Sequence, residues 1–350
     1  MGIGYAIGFV LAVVAAAALG GLTGAGRAFL GLLLPYAALA IFVVGFCLRV
    51  VRWASSPVPF RIPTTCGQQK SLAWIKTNAL DNPSTTGGVV ARMALEVLLF
   101  RSLFRDNRAQ LYEGRYVFGE SKFLWLGALA FHWSLLVILL RHLRLLVQPV
   151  PGFVVALMNA DSFFQVGTPP WYLSDIVLAC ALVYLFVRRM RDPLVRYISR
   201  FSDYFALLLL LGIALSGMLM RYVTRVDVIA VKRLALGLAT FHPVLPAELS
   251  VVLLVHLGLV CLLAIYFPFS KLMHMGGVFL SPTRNLANNN RAVRHVNPWN
   301  YPVKTHTYAE WQEEFRDKLT AANIPLDEPQ DATKIATQKA KEDAPTVSTN

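Results

Sequence analysis

Four histidines lie in two long apolar stretches of the sequence. His132 and His142 are ten residues apart in one stretch, and His256 and His274 are eighteen apart, within or just beyond another. An ionisable side chain is costly to keep at membrane depth unless it has a function. A neutral histidine hydrogen-bonded to a neighbouring helix would explain any one of them. Two helices with two histidines each favour a metal-binding role instead.

Haem b is the cofactor that this pattern indicates. Its iron takes two axial imidazoles, and its macrocycle fits between two helices that each supply one. Two such pairs would hold two b-type haems. If the two helices run in opposite directions, the axial pairs are His132 with His274 and His142 with His256.

The two spacings do not match in straight helices. Ten residues rise about 15 Å, whereas eighteen rise about 27 Å. Pro268 lies between the second pair of histidines and should kink or end their helix, which would place His274 on a bent extension. Met273 and Met275 flank His274, and a thioether is an alternative axial ligand, although methionine is ordinary in an apolar helix.

Polar residues near His142 are candidates for holding a haem propionate or a quinone. Arg141 and Arg144 flank this histidine, and a guanidinium fork pairs well with a carboxylate. The alternative is that both arginines anchor the helix at the lipid headgroups. Asp161, Gln165 and Arg144 are the candidates for a quinone site closed by the loop that follows this helix.

The composition is that of a multi-pass membrane protein. Of the 350 residues 56% are hydrophobic, and the mean hydropathy is +0.52, which is more apolar side chain than one soluble core could bury. A net charge of +13 would suggest nucleic acid in a soluble protein, but here the basic residues cluster at the ends of apolar runs. We therefore expect a lipid membrane as the surroundings and no nucleic-acid partner.

The cysteines do not suggest another cofactor. Cys47, Cys180 and Cys261 lie in apolar runs, and the sequence contains no CxxCH or CxxC motif for covalent haem, iron–sulfur or zinc. Any metal must then be bound through histidine. Cys66 lies in a polar segment, where it is either structural or a reactive thiol near a partner.

Six stretches are apolar over the roughly 20 residues that a transmembrane helix needs. We expect an all-α, polytopic transmembrane bundle of six helices, with the haems between helices three and six. The predicted spans are Tyr5–Leu22, Phe29–Val51, Phe123–Leu143, Leu173–Val187, Tyr204–Tyr222 and Leu249–Phe269.

The basic residues predict the topology, because lysine and arginine are retained on the cytoplasmic side. They are abundant between helices two and three, between four and five, and after helix six. Both termini are therefore expected in the cytoplasm, with the chain in the cytoplasmic (inner) membrane. The connection between helices five and six is an exception to the pattern, since it contains Arg221, Arg225, Lys232 and Arg233.

Three regions are predicted along the chain. Residues 1–275 form the transmembrane cytochrome b domain, with a cytoplasmic insert at about 52–121. In this insert, Arg92, Glu96 and Arg101 on one side of an apolar helix predict a helix in the membrane interface. Residues 276–328 are expected to dock a partner, and 329–350 to be a disordered tail. His242, His295 and His306 are expected at the surface.

The pattern His132-x9-His142 with His256-x17-His274 resembles the membrane cytochrome b subunit of respiratory nitrate reductases, the NarI-like family. In that family two histidine pairs on two helices bind two b haems. The chain also resembles the DsrM cytochrome b subunits of the membrane complex linked to dissimilatory sulfite reduction, in the stretches Pro59–Lys76, Arg92–Asp106 and Phe123–Arg144.

This resemblance implies electron transfer between menaquinol or menaquinone and a cytoplasmic iron–sulfur subunit similar to that of heterodisulfide reductase (DsrK-like). It also implies a periplasmic multihaem cytochrome c, an iron–sulfur protein and a second membrane subunit (DsrJ-, DsrO- and DsrP-like). Quinol would be oxidised near the His142–His256 haem, with protons released outside and electrons passing inward. The alternatives are a nitrate-reductase-type gamma subunit, a proton transporter with a histidine relay, for which we find no internal repeat, and a passive membrane anchor.

Overall fold

The computed structural model describes residues 2–56, 78–162, 169–281, 284–289 and 306–326, which are mostly helical. The helices, in chain order, are α1 (Gly2–Gly21), α2 (Gly24–Ala54), α3 (Thr86–Leu99), α4 (Arg101–Phe104), α5 (Lys122–Leu146), α6 (Gly152–Asp161), α7 (Leu173–Arg191), α8 (Pro193–Ile198), α9 (Phe201–Val223), α10 (Val228–Ala239), α11 (Val251–Phe269), α12 (His274–Gly277), α13 (Tyr308–Glu314) and α14 (Arg316–Ala321). Helices α2 and α9 each include a π-helical turn, and α11 ends in a 3₁₀ turn.

Five helices in the described part of the chain are long and apolar enough to cross a membrane: α1, α2, α5, α9 and α11. They coincide with five of the six predicted spans. The fourth predicted span forms α7, which has Asp175 in its first turn and Arg188, Arg189 and Arg191 in its last turn. Its apolar stretch lies between those charges, and α7 packs against both α5 and α9. The fold is therefore the predicted helical membrane bundle.

The centre of the bundle is α11. Of the membrane-length helices named above, α11 has 39% of its apolar window buried, against 11–17% for the others. It packs against α1, α2 and α9, and the four helices share an apolar core. The most deeply buried members of this core are Ala6, Leu209, Leu254 and Leu259. Many other apolar side chains of the long helices are exposed on the outside of the bundle, where lipid would solvate them.

The last turn of α11 departs from a straight helix, as Pro268 predicts. Proline lacks a backbone N–H, and the helix tightens here into the 3₁₀ turn Phe267–Phe269. The Ser270 hydroxyl then accepts a hydrogen bond from the Leu272 N–H and starts a second 3₁₀ turn, Lys271–Met273. His274 therefore stands on a bent extension, so its rise above His256 need not equal that of a straight helix.

Helix α2 approaches this bend very closely at Gly45. A Cβ atom on Gly45 would lie 2.8 Å from Pro268 Cβ, which is closer than real Cβ atoms come to other carbon atoms. The proline ring is rigid and cannot move aside as a flexible side chain would. The absence of a side chain at residue 45 thus sets the distance between α2 and the end of α11.

The insert between α2 and α5 contains α3, whose place in the membrane interface stays a prediction. Two residues of its charged side, Arg92 and Glu96, are buried, at 8% and 7% exposure. The Glu96 carboxylate accepts hydrogen bonds from the Ser102 N–H and hydroxyl, which explains why it turns inward. The side of α3 that carries Val90, Val97 and Leu98 is exposed instead.

Further polar contacts stabilise the insert and join it to the segment after α12. The Asp81 carboxylate pairs with Arg101 and Arg105, and the hydrogen bond from Arg101 is the main cause that lowers the pKa of Asp81 to about 2. Asn288 donates its backbone N–H to the Pro83 carbonyl at 2.7 Å. The segment after α12 is thereby joined to the loop before α3.

A β-hairpin that the sequence interpretation did not include precedes α5. Strand β1 (Asn107–Tyr112) pairs antiparallel with β2 (Arg115–Glu120) around Glu113 and Gly114, whose φ angles are 49° and 75°. Two positive φ angles are typical of a type I′ hairpin turn. All six residues of β2 are exposed.

Residues 299–350 form a separate unit, of which 306–326 are described. Helix α13 begins with a capping box, in which Thr307 and Glu310 exchange side-chain and backbone hydrogen bonds. Tyr308, Trp311 and Phe315 form a row of aromatic contacts along it. The partner-docking role of this region stays a prediction, and the predicted disordered tail lies outside the described residues.

Substitution of Gly45 with alanine is predicted to destabilise the bundle. The new methyl group would collide with Pro268, and overpacking of this kind costs roughly 1–3 kcal/mol. Gly8→Ala is the matched control, because a Cβ on Gly8 of α1 would have no atom within 4 Å. Thermal unfolding in detergent should give a lower midpoint for Gly45→Ala than for Gly8→Ala. Equal midpoints would contradict the close packing of α2 on Pro268.

Candidate functional site

The structure brings together the first predicted histidine pair. The imidazole rings of His132 on α5 and His274 after α11 have centroids 6.0 Å apart, with their planes at 83°. A metal–imidazole bond is about 2 Å and the ring centroid lies roughly 1 Å behind the nitrogen, so two imidazoles on one metal have centroids about 6 Å apart. The observed separation therefore suits two ligands of one iron.

The second predicted pair lies nearer the other ends of the same two helices. His142 is near the end of α5 and His256 is in the second turn of α11, and the two imidazoles are close enough for their charges to interact. Helices α5 and α11 are antiparallel here. His132 thus lies beside His274, and His142 lies towards His256, while the axial pairing itself stays a prediction.

All four histidines have the same ring nitrogen in a hydrogen bond. Nδ1 of His132 contacts the Ala128 carbonyl at 2.7 Å, and Nδ1 of His142 contacts the Ile138 carbonyl at 2.7 Å. The other two contacts are His274 Nδ1 with the Lys271 carbonyl at 2.8 Å and His256 Nδ1 with the Ser216 hydroxyl at 2.9 Å. At His132, His142 and His274 the partner is a carbonyl oxygen, which can only accept, so Nδ1 carries the proton and Nε2 has the lone pair that a metal needs.

The donor set therefore fits haem. Each iron would need two neutral imidazoles, one from each helix, and the structure offers two such pairs. Groups of three or more His, Cys, Asp or Glu side chains close enough to hold a bare metal ion do not occur among the described residues. His142 and His274 are exposed, which leaves open space beside one imidazole of each pair.

Aromatic side chains surround the first pair. Phe100 and Phe131 lie edge-on to the His132 ring, with centroids 4.9 Å and 4.7 Å away. Trp125 and Trp133 of α5 donate their indole N–H groups to the carbonyls of Leu99 and Leu98. The insert helix α3 is thereby held against α5 beside His132, a contact that no sequence pattern indicated.

The predicted propionate ligand Arg141 lies in a buried ion network near His142. Only 6% of this residue is exposed, and its guanidinium pairs with Asp175 and, through Nε at 3.2 Å, with Asp161. The Asp161 carboxylate also accepts hydrogen bonds from the Ser174 N–H at 2.8 Å and hydroxyl at 2.7 Å. Arg141 does more than anchor the helix at the headgroups, since it ties α5 to α6 and α7.

Asp161 differs from what was expected of a quinone ligand. Its side chain is 6% exposed and both carboxylate oxygens are engaged within the ion network. Gln165, the second candidate, lies outside the described residues. Arg144, the third, donates weakly to the Tyr172 hydroxyl at 3.4 Å and also borders a cleft.

Two residues of α9 complete the network and were not predicted as site residues. The Tyr222 hydroxyl donates to Asp175 at 2.8 Å, and the Arg221 guanidinium donates to the Pro170 carbonyl at 3.1 Å. The guanidinium groups of Arg221 and Arg141 both lie over the Tyr172 ring, 4.1 Å and 3.7 Å from its centroid. Arg221 was noted only as a charge in a loop whose excess of basic residues broke the topology rule.

Three guanidinium donors in this network are buried and make no hydrogen bond within the described part of the chain: Arg141 Nη1, Arg141 Nε and Arg221 Nε. Arg141 Nε still has its ion-pair contact with Asp161, whereas Arg141 Nη1 has no such contact. An unpaired charged donor is costly to bury, so a bound carboxylate or carbonyl would relieve it. A haem propionate or a quinone oxygen near His142 could fill this role.

A cleft of about 270 Å³ lies beside the network. Most of its lining is apolar, with two cations, and comprises Arg144, Leu145, Val150, Val155, Met158, Val228 and Lys232. Lys232 of α10 contacts the Gln148 side chain. The cleft is therefore formed by the end of α5 together with α6 and α10.

The remaining candidates lie elsewhere. Met273 is buried and Met275 is exposed. His242 is exposed, as predicted, and contacts the Thr240 carbonyl, while His306 lies 3.8 Å from Glu314. Cys66 and His295 are outside the described residues.

Comparison with known proteins identifies the relatives of this chain. It is 46% identical over 276 residues to a protein of Archaeoglobus fulgidus named Hdr-like menaquinol oxidoreductase cytochrome b-like subunit, covering 77% of this chain and 82% of that one. It is 43% identical over 274 residues to the protein of the same name from Archaeoglobus profundus, covering 76% and 81%. Residues 89–295 match the nitrate reductase gamma subunit family. This match spans α3 to α12 and all four histidines, and the chain belongs to that family.

Proposed function

We propose that this protein is a di-haem cytochrome b that transfers electrons between menaquinol and another subunit of an Hdr-like membrane complex. The observation that carries the proposal is the geometry of the four histidines: two cross-helix pairs in which each Nδ1 is occupied and each Nε2 is left to bind iron. The names of the two Archaeoglobus relatives support menaquinol as the electron donor.

The residues of this chain would hold each haem from both sides. His132 and His274 would ligate one iron, and His142 and His256 the other, with their orientations fixed by the Nδ1 hydrogen bonds. When bound, b-type haem supplies one-electron redox chemistry at these two depths of the bundle. Arg141 would neutralise a propionate of the haem near His142 through its unpaired Nη1.

The orientation follows from the basic residues. Arg188, Arg189 and Arg191 at the end of α7 lie at the same side of the bundle as His132 and His274, and lysine and arginine favour the cytoplasm. The His132–His274 site would then be cytoplasmic and the His142–His256 site external. Several basic residues on the external side are already engaged: Arg27 with the Leu249 carbonyl at 2.8 Å, Arg221 with Pro170, and Lys232 with Gln148.

We assign menaquinol to the cleft beside Arg144. Quinone sites need an apolar wall for the ring and a few polar groups for its oxygens. The cleft provides Val150, Val155 and Met158 as the wall, with Arg144 and Lys232 at its edge. A quinol bound here would be near the external haem site and could release its protons to the outside.

On this proposal, electrons leave at the cytoplasmic side to an iron–sulfur subunit similar to heterodisulfide reductase. The insert packed beside His132 and the segment after His274 are the parts of the chain nearest that exit. We also propose that the complex takes part in dissimilatory sulfur metabolism. Its further subunits would be a multihaem cytochrome c, an iron–sulfur protein and a second membrane protein. The alternative, a gamma subunit serving a nitrate reductase, is favoured by the family match alone.

The haem content of the purified chain and its reduction by quinol can be tested on the same preparation. The purified chain should contain two haems and show a b-type reduced-minus-oxidised spectrum, because it offers two complete ligand pairs. A water-soluble menaquinol analogue should reduce the haems. If the chain expressed with ample haem contains none, the cytochrome proposal is wrong. A chain with two haems that no quinol reduces would contradict the quinol-oxidising role only.

A bulky residue in the cleft tests the quinone assignment. Val155→Trp should slow haem reduction by the menaquinol analogue at least about tenfold, the effect of roughly 1.4 kcal/mol, while dithionite-reducible haem content is unchanged. Val44→Trp is the control, because Val44 is an exposed valine of α2 outside the cleft lining. Equal reduction rates in Val155→Trp and Val44→Trp would place quinol elsewhere.

A further inference from the structure

One of the four histidines takes its hydrogen bond from a different helix. The acceptors for His132 and His142 are carbonyls four residues earlier in α5, and that for His274 is three residues earlier, so the local backbone supplies them. Nδ1 of His256 instead contacts the Ser216 hydroxyl of α9 at 2.9 Å, and the Ile213 carbonyl of the same helix also lies within hydrogen-bonding reach of the imidazole. The orientation of this imidazole therefore depends on packing between α9 and α11.

The Ser216 hydroxyl can accept this bond because its own proton is used elsewhere. Ser216 Oγ lies 3.0 Å from the Ile213 carbonyl, to which it can only donate. Its lone pairs are then free to accept from His256 Nδ1–H. The resulting chain, from imidazole to hydroxyl to carbonyl, keeps the proton on Nδ1 and the lone pair on Nε2.

The neighbouring residue on α9 also lies beside the imidazole. Gly217 faces the imidazole, and even a Cβ atom there would be 3.4 Å from His256 Cε1. Small residues commonly permit such close approach between membrane helices. The pair Ser216-Gly217 thus forms a flat polar surface against the edge of the His256 ring.

A hydroxyl is a weaker acceptor than a peptide carbonyl, and the acceptor at Nδ1 sets how basic an iron-bound imidazole is. We propose that Ser216 is a positioning residue that orients His256 and tunes the reduction potential of the haem held by His142 and His256. This inference rests on the haem proposal above. Within the described residues, the Nδ1 contacts of His132 and His274 are made by carbonyls of their own chain segments, so this contact with another helix is particular to His256.

The test is a redox titration of the purified full chain with Ser216→Ala. Without the hydroxyl, His256 retains only the Ile213 carbonyl of α9 as an acceptor and loses one of its two hydrogen-bond contacts. The imidazole then donates less charge to ferric iron, so reduction becomes easier. One lost neutral hydrogen bond corresponds to about a fivefold change in the reduction equilibrium, or about 40 mV at 59 mV per decade. The potential of the His142–His256 haem is identified as the one that remains in His132→Ala. In Ser216→Ala we expect this potential to shift positively by about that amount, while the other potential is unchanged. The low-spin EPR signal of the same haem should also change.

Two variants control for structural effects. Ser134→Ala removes a buried α5 hydroxyl that donates to the Ala130 and Phe131 carbonyls, and it should leave both potentials in place. Ser216→Thr keeps the hydroxyl and should retain the wild-type potential. If Ser216→Ala loses the haem altogether while Ser216→Thr keeps it, the positioning role also stands.

The outcomes separate this inference from the proposed function. Two haems in Ser216→Ala with unshifted potentials, or an equal shift in Ser134→Ala, would overturn the role of Ser216 and leave the cytochrome intact. Loss of that haem from both Ser216→Ala and Ser216→Thr would overturn it as well. A wild-type chain without haem would overturn the proposed function and this inference with it.

Discussion

An imidazole can bind iron only through a ring nitrogen that carries a lone pair, so its other nitrogen must give its proton to an acceptor. This requirement is met at all four intramembrane histidines. It is also why the histidines are tolerable in a bilayer, since each neutral ring has one nitrogen satisfied by protein and the other reserved for a ligand. The bend after Pro268, the close approach of α2 at Gly45 and the contact of α9 at Ser216 all serve to place these rings.

The ion network around Arg141 has a different role from the histidines. Burying a charged group is costly, and here two carboxylates and the Tyr172 ring compensate a guanidinium that is almost wholly excluded from solvent. The network joins α5, α6, α7 and α9 at the end where the cleft beside Arg144 lies. On the proposed function, a charge-balanced wall at this place would hold a quinol near its electron acceptor while leaving guanidinium donors such as Arg141 Nη1 available.

The features that could be predicted from the sequence are those marked by long apolar stretches or by residue types that are rare in membrane helices. Hydropathy identified the helices, and the four histidines were singled out because an ionisable residue in an apolar run is conspicuous; their pairing on two irons stays a prediction. The charges at both ends of α7 leave a shorter apolar stretch than the other membrane-length helices have, although packing between α5 and α9 still buries Leu178 and Leu182.

Tertiary contacts were not predictable from the sequence. Ser216 and Tyr222 look like ordinary helix residues, and only the packing of α9 against α11 and α7 gives them their partners. The burial of Arg92 and Glu96 on α3 was not predictable either, because an amphipathic pattern does not say whether its polar side meets water or other protein groups. The β-hairpin was missed because its second strand has no buried side to give an alternating pattern.

The central claim is that two haems are held crosswise between α5 and α11, and the most direct measurement is the haem content and redox titration of four single histidine variants. His132→Ala and His274→Ala should each lose one haem and retain the same remaining potential. His142→Ala and His256→Ala should also each lose one haem, and both should retain the other potential. Loss of the same haem from His132→Ala and His142→Ala, or no haem loss in any of the four, would contradict the pairing on which the account rests.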